Sequence, residues 1–121
     1  MLGVVDAAQA IADLTEISPQ VQRVVMIAPD GSLIGSNTDP TAAQKLVDGA
    51  RDLIGAAEEL RPGVSQLEAA TISGSVFVVR DGERLIAATT TPEPTVGLVF
   101  YDLKTCLRSI DEQTKVDDAA A

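Results

Sequence analysis

The stretch Arg23–Asn37, RVVMIAPDGSLIGSN, decides how this chain is read. Val24, Val25, Met26 and Ile27 are consecutive and apolar. A strand that is apolar on both faces belongs in a sheet covered on both faces. The signal extends from Val21 to Ala28. Pro29-Asp30-Gly31 then bends the chain, because proline presets φ and glycine tolerates positive φ. Ser32 to Ser36 return as a second strand around Leu33 and Ile34. The same stretch holds an acid, two glycines and two serines between Asp30 and Asn37, which raises the question of a catalytic or phosphate-binding loop. It has no lysine after the second glycine, as a P-loop requires, and no G-x-G-x-x-G spacing. It reads as the bend of a hairpin.

On the N-terminal side, residues 3–17 have helical periodicity. Val4, Ala8, Ile11 and Thr15 share a face flanked by Ala7 and Leu14, and Asp6, Gln9, Asp13 and Glu16 share the opposite one. Ser18-Pro19 ends the helix, since the residue before proline avoids the α region. On the C-terminal side, Asp39 is placed to cap a helix whose first position is Pro40. Ala43, Leu46, Val47, Ala50, Leu53, Ile54, Ala57 and Leu60 form its apolar half. Gln44, Lys45, Asp48, Arg51, Asp52, Glu58 and Glu59 form its polar half. Arg61-Pro62-Gly63 terminates it. Ala42, Gly49 and Ala56 recur every seventh residue along one border. Such a row either packs against the chain's own sheet or admits a second helix at close range.

Three strand signals follow: Gln66 to Ile72, Ser75 to Arg80 and Leu85 to Thr91. Ser73-Gly74 and Asp81-Gly82 mark the hairpins between them. In the first, Leu67, Ala69 and Thr71 share a face. After Pro92-Glu93-Pro94, the segment TVGLVFYDLKTCLRSI begins like a strand. Its whole length has one helical stripe through Val96, Val99, Phe100, Leu103, Cys106, Leu107 and Ile110, and length favours helix. Leu98 and Tyr101 are left on the outer face. The element order is α-β-β-α-β-β-β-α in one domain over residues 1–112, with a flexible acidic and alanine-rich tail expected over 113–121. Short hairpins within each group of strands predict a largely antiparallel sheet.

Composition narrows the function classes. The chain has 121 residues, 45% of them apolar, with a net charge of −9. Phe77, Phe100 and Tyr101 are its only aromatics, so the core is aliphatic. Eighteen acids against nine bases argue against a nucleic-acid binder and against docking on an anionic membrane. No apolar run approaches the length of a membrane span. The N-terminus carries Asp6 and Asp13 and lacks the basic start of a secretory signal. One cysteine permits no internal disulfide, which fits a cytoplasmic protein.

The side chains offer little for chemistry. There is no histidine, which removes the commonest general base and metal ligand. Cys106 lies on an apolar stripe and reads as an inert core thiol. No S-x-x-K spacing and no calcium-loop series of acids is present. The adjacent pair Glu58-Glu59 reads as solvated charge. No catalytic residue, cofactor site or metal site is expected. The working surfaces of such a chain are a sheet edge and helix faces.

The order of these elements resembles the Roadblock / dynein light-chain family over about residues 3–112. VQRVVMIAPDGSLIGSN stands where that family has an apolar strand, a D-G turn and a return strand. AAQKLVDGARDLIGAAEEL stands in the place of its long helix, GSVFVVRDGERLIAATT in that of its last strand pair, and TVGLVFYDLKTCLRSI in that of its closing helix. The resemblance implies an α+β (α/β) fold: a five-stranded antiparallel sheet with one long helix on one face and two terminal helices on the other, a profilin-like sandwich. It also implies a homodimer through the third strand, at Gln66, Leu67, Glu68, Ala69, Ala70, Thr71 and Ile72. The long helices would then meet through Ala42, Leu46, Gly49, Leu53, Ala56 and Leu60. Members commonly scaffold complexes or act with a small Ras-like GTPase, in some cases as its activating protein. The resemblance therefore implies a non-catalytic regulator or scaffold. A small-molecule sensor module is the alternative. No motif marks a GTPase-contact residue.

Overall fold

The structure is a computed structural model that describes residues 6–120, with side chains as far as residue 110. The elements are α1 (Ala7–Ile17), β1 (Val21–Ile27), β2 (Leu33–Ser36), α2 (Pro40–Leu60), β3 (Gln66–Thr71), β4 (Gly74–Asp81), β5 (Arg84–Thr90) and α3 (Val96–Ala120). The five strands form one sheet in the order β2-β1-β5-β4-β3, with every neighbouring pair antiparallel. The α+β architecture expected from the sequence is present. The last helix, α3, runs on to Ala120, into the stretch expected as a tail, whose side chains lie outside the described residues. Val4 also lies outside them.

Strand alternation divides the core into two layers. Val24, Met26, Phe77, Val79, Ile86 and Ala88 point to one face and meet α1 and α3. Val25, Ile27, Val78, Leu85 and Ala87 point to the other and meet α2. The consecutive apolar run of β1 is thereby explained, since both of its faces are buried. The middle position in the sheet belongs to β5, with β1 and β4 on either side of it. Phe77 is fully buried and its ring meets Phe100 edge-on, with centroids 4.9 Å apart and planes at 75°. That pairing adds about 0.5–1.5 kcal/mol beyond the area buried.

The cap of α2 is as expected: Asp39 Oδ1 accepts from the Ala42 backbone N–H at 2.9 Å, with Pro40 in the first turn. Asp6 caps α1 in the same way through the Gln9 backbone N–H. The buried face of α1 differs from the sequence reading. It consists of Ala7, Ala10, Ile11 and Leu14, while Ala8 is exposed. The cause is α3, which packs against α1 closely enough for the Cys106 thiol to reach the Ala10 carbonyl at 3.4 Å.

Two glycines are required by contacts. Gly35 in β2 lies under α1, where an added Cβ would stand 2.7 Å from the Ala7 Cβ. Gly74 has φ +141° and turns its open side onto the Thr90 carbonyl oxygen, so any side chain there collides with β5. The residues joining β3 to β4 are Ile72 and Ser73, which places Ile72 in the turn and not in the strand as expected. The loop joining β4 to β5 is Gly82-Glu83, one residue later than the Asp81-Gly82 expected.

Candidate interaction surface

The two edges of the sheet are β2 and β3. In β3 the register is Gln66↔Val79 through Thr71↔Gly74, with no bulge. The Arg80 backbone N–H donates to the Ser65 carbonyl at 2.8 Å in that same register. Antiparallel strands bond through alternate residues. Ser65, Leu67, Ala69 and Thr71 therefore turn their N–H and C=O groups toward β4. Gln66, Glu68 and Ala70 turn theirs off the sheet. A six-residue edge in unbroken register, whose regularly spaced outward donors and acceptors face no other strand among the described residues, is a template for another strand.

The side chains of β3 alternate in the same register. Leu67 packs beneath α2 with Val64, and Ala69 is half-buried on that face. Glu68 lies on the α3 face, where its carboxylate accepts from the Ser75 hydroxyl at 2.7 Å. Thr71 is exposed and its hydroxyl donates to the Gly74 carbonyl, so it serves the turn and not the apolar face. Ile72 is 99% exposed.

Alongside this edge, α2 leaves part of its sheet face uncovered. Ala42, Leu46, Gly49 and Leu53 border a mainly apolar groove of about 510 Å³, whose floor is Val76 and Thr89 and whose end holds Arg23 and Lys45. A Cβ added at Gly49 would meet nothing within 4 Å. Ala56 is exposed. Gly49 and Ala56 of the small-residue row therefore do not pack on the chain's own sheet, while Ala42 is half-buried. Leu60, assigned to the apolar half of the helix, is 83% exposed, because burial along α2 ends with Ile54 and the half-buried Ala57. Of the α2 residues expected at a dimer contact, Ala42, Leu46, Gly49 and Leu53 line this groove, and Ala56 and Leu60 do not. A more polar depression of about 620 Å³ shares Arg23, Val76 and Thr89 with the groove and is lined also by Thr71, Ser73 and Ser75.

With this architecture in hand, similarity to solved structures is extensive, with probability 1.00 for each of three examples. The first is a Roadblock/LC7 domain from Streptomyces avermitilis, at 20% identity and TM-score 0.73 over 86% of this chain and 93% of that one. The second is Myxococcus xanthus MglB, at 18% identity and TM-score 0.69 over 100% of this chain and 94% of that one. The third is an MglB with tetrameric arrangement, at 15% identity and TM-score 0.66 over 93% of this chain and 95% of that one. The chain has the Roadblock/LC7 fold. In sequence, no protein-family model matches it and no curated protein does.

Two polar features of this Roadblock/LC7 fold escape a sequence reading. Glu58 is not simply solvated. Its carboxylate accepts the backbone N–H groups of Gly63 at 2.9 Å and Val64 at 3.0 Å, and pairs with Arg80 at 3.4 Å. Those hydrogen bonds, with Arg80, hold its pKa below the ordinary glutamate value. The connection leading into β3 is thereby folded back onto the end of α2. Asn37 clasps β1: its Oδ1 accepts from the Val24 N–H at 2.7 Å and its Nδ2 donates to the Gln22 carbonyl at 2.9 Å. No motif marks either residue, since each acts on backbone groups, those of Asn37 lying 13 and 15 residues away.

Cys106 is buried, and desolvation, with Asp13 nearby, pushes its thiol up to about 12. At neutral pH it carries no thiolate to act as a nucleophile. Among the described residues no helix is long and apolar enough to cross a membrane.

Proposed function

We propose that this chain is a homodimeric regulatory or scaffold module that pairs through β3 and the border of α2. We propose further that it acts as a partner or activating regulator of a small Ras-like GTPase. The observation that carries the dimer is the free β3 edge, where the backbone groups of Gln66, Glu68 and Ala70 face outward beside an open apolar groove. A second copy would satisfy those groups and cover Leu46 and Leu53 at the same time. The tetrameric arrangement of an MglB with this fold supports self-association. The GTPase partner is supported by the resemblance to Roadblock proteins, whose bacterial members act with such enzymes. The exposed outer face of α3, with Leu98 and Tyr101, is available to a further protein.

Sedimentation equilibrium tests the dimer: a two-chain mass at micromolar concentration is expected, and a monomer up to about 100 μM would refute it. Co-purification with a GTPase encoded beside this gene, followed by a GTP hydrolysis assay, tests the partner. A complex is expected, and its absence would remove the GTPase from the account while leaving the dimer.

The groove favours one second reading, a small-molecule sensor. Its volume falls within the roughly 300–1,000 Å³ of ligand pockets. A ligand seated there would compete with the second copy. A metabolite that raises the melting temperature and dissociates the dimer would establish it.

A further inference from the structure

We infer that Ile72 is the apolar anchor of the β3 contact, seated on the start of the partner's β3. The inference rests on the dimer proposed above. Within its own chain Ile72 has no packing role, being 99% exposed in the turn after β3. Turn chemistry does not call for isoleucine either, since such positions favour Gly, Asn, Asp, Ser and Pro. A contact outside the chain would account for it.

Symmetry supplies the location. A two-fold antiparallel pairing opposes residues whose free backbone groups face each other. Only Gln66, Glu68 and Ala70 within β3 offer such groups, which leaves two registers that use the length of the strand. In one the axis passes through Glu68, so that Glu68 faces the partner's Glu68 and Ile72 faces the partner's Val64. In the other the axis passes through Ala69, so that Glu68 faces the partner's Ala70 and Ile72 faces the partner's Gln66. Both bring Ile72 onto residues 64–66 of the other copy. Like charges directly opposite disfavour the first register. Glu68 thus works against a slipped pairing, and the small Ala69 suits the close contact on the axis.

The same end of the partner carries its most exposed apolar side chain after Ile72 itself. Leu60 is 83% exposed, and the bonds from Glu58 to the backbone of Gly63 and Val64 hold the connection beside the end of α2.

Two measurements on the full chain test this. In sedimentation equilibrium, Ile72→Ser raises the dimer Kd at least about tenfold, and Ile72→Val leaves it within about threefold. Because Ile72 is solvent-exposed in the single chain, neither variant alters its fold. Second, chains carrying Ile72→Cys are mixed under oxidation with chains carrying Gln66→Cys, and separately with chains carrying Val64→Cys. Buried Cys106 stays in place. A mixed disulfide forms with Gln66→Cys in the Ala69-centred register, or with Val64→Cys in the other. Ile72→Cys alone forms none in the Ala69-centred register, because its two copies lie about 20 Å apart along the strand direction. A wild-type dimer with an unchanged Kd for Ile72→Ser, or with no mixed disulfide at either position, overturns the anchor and leaves the dimer standing. A wild-type monomer overturns both.

Discussion

The two edges of one sheet are built in opposite ways. The β2 edge has four residues, a register shift opposite Met26/Ile27, and α1 pressed onto it at Gly35. Asn37 occupies the backbone of β1 just where β2 stops, donating and accepting as a further strand residue would. The β3 edge has six residues in unbroken register, and no side chain of the described residues crosses its outward backbone groups. Short length, irregular register and a covering helix are how proteins close an edge against other chains. The β2 edge is short and irregular in register, and the β3 edge is neither. The contrast locates the working surface without any catalytic group. The two faces differ in the same sense, since two helices seal one and α2 leaves a groove on the other.

The largest expected effect comes from destroying the open edge outright. Gly74→Val drives a side chain into the Thr90 carbonyl and separates β4 from β5 at the turn. A loss of about 3 kcal/mol or more is expected in chemical denaturation. A loss under about 1 kcal/mol would show that the turn relaxes freely and that β3 is not held by it.

The closed edge is probed by Asn37→Ala. The Val24 N–H and the Gln22 carbonyl lose their partner, at a cost of about 1–2 kcal/mol. Amide exchange at Val24 should accelerate while that of β4 does not. Protection unchanged at Val24 would mean that α1 alone closes this edge.

Smaller effects follow from pH. Glu58 titrates below the ordinary glutamate value of 4.5 in the folded chain. Its contribution is therefore present above that value and is lost as pH falls below it. Amides of Gly63 and Val64 should lose protection in acid, and Glu58→Gln should remove that dependence. The Cys106 thiol titrates in the reverse sense. Its folded pKa of about 12 exceeds the ordinary 9.0, so its contribution is complete below pH 9 and declines as pH rises toward 12. At neutral pH a thiol reagent should modify Cys106 only after unfolding. Rapid modification of the native chain would show that the two-helix face is not sealed.

Much of this was legible in the sequence because periodicity reports directly on burial. The doubly apolar β1, the Asp39-Pro40 start of α2 and the stripe of α3 from Val99 onward stand as read, while Val96, placed on that stripe, is exposed. The failures have a common cause. Periodicity says that a face is buried but not what lies across it. Ala8 and Ala10 are chemically identical, and only the approach of α3 selects Ala10. Leu60 continues the apolar pattern of α2, but the pattern does not record where cover for the helix ends. Glu58 and Asn37 bond backbone groups, which leave no trace in residue type. The candidate surface was legible as a set of residues, through the small-residue row of α2 and the resemblance. The outward parity of Gln66, Glu68 and Ala70 was not, because a single bond, from Arg80 to Ser65, settles it.

That parity provides the most direct test of the account. Proline is tolerated on an edge strand where its missing N–H faced solvent. Ala70→Pro removes an outward donor and leaves the ladder between β3 and β4 intact, since Ala70 does not bond β4. The dimer Kd, read by sedimentation equilibrium, should rise at least about a hundredfold, while amide protection in β4 stays as in the wild type. A variant that remains a dimer with wild-type affinity would contradict pairing through the β3 edge.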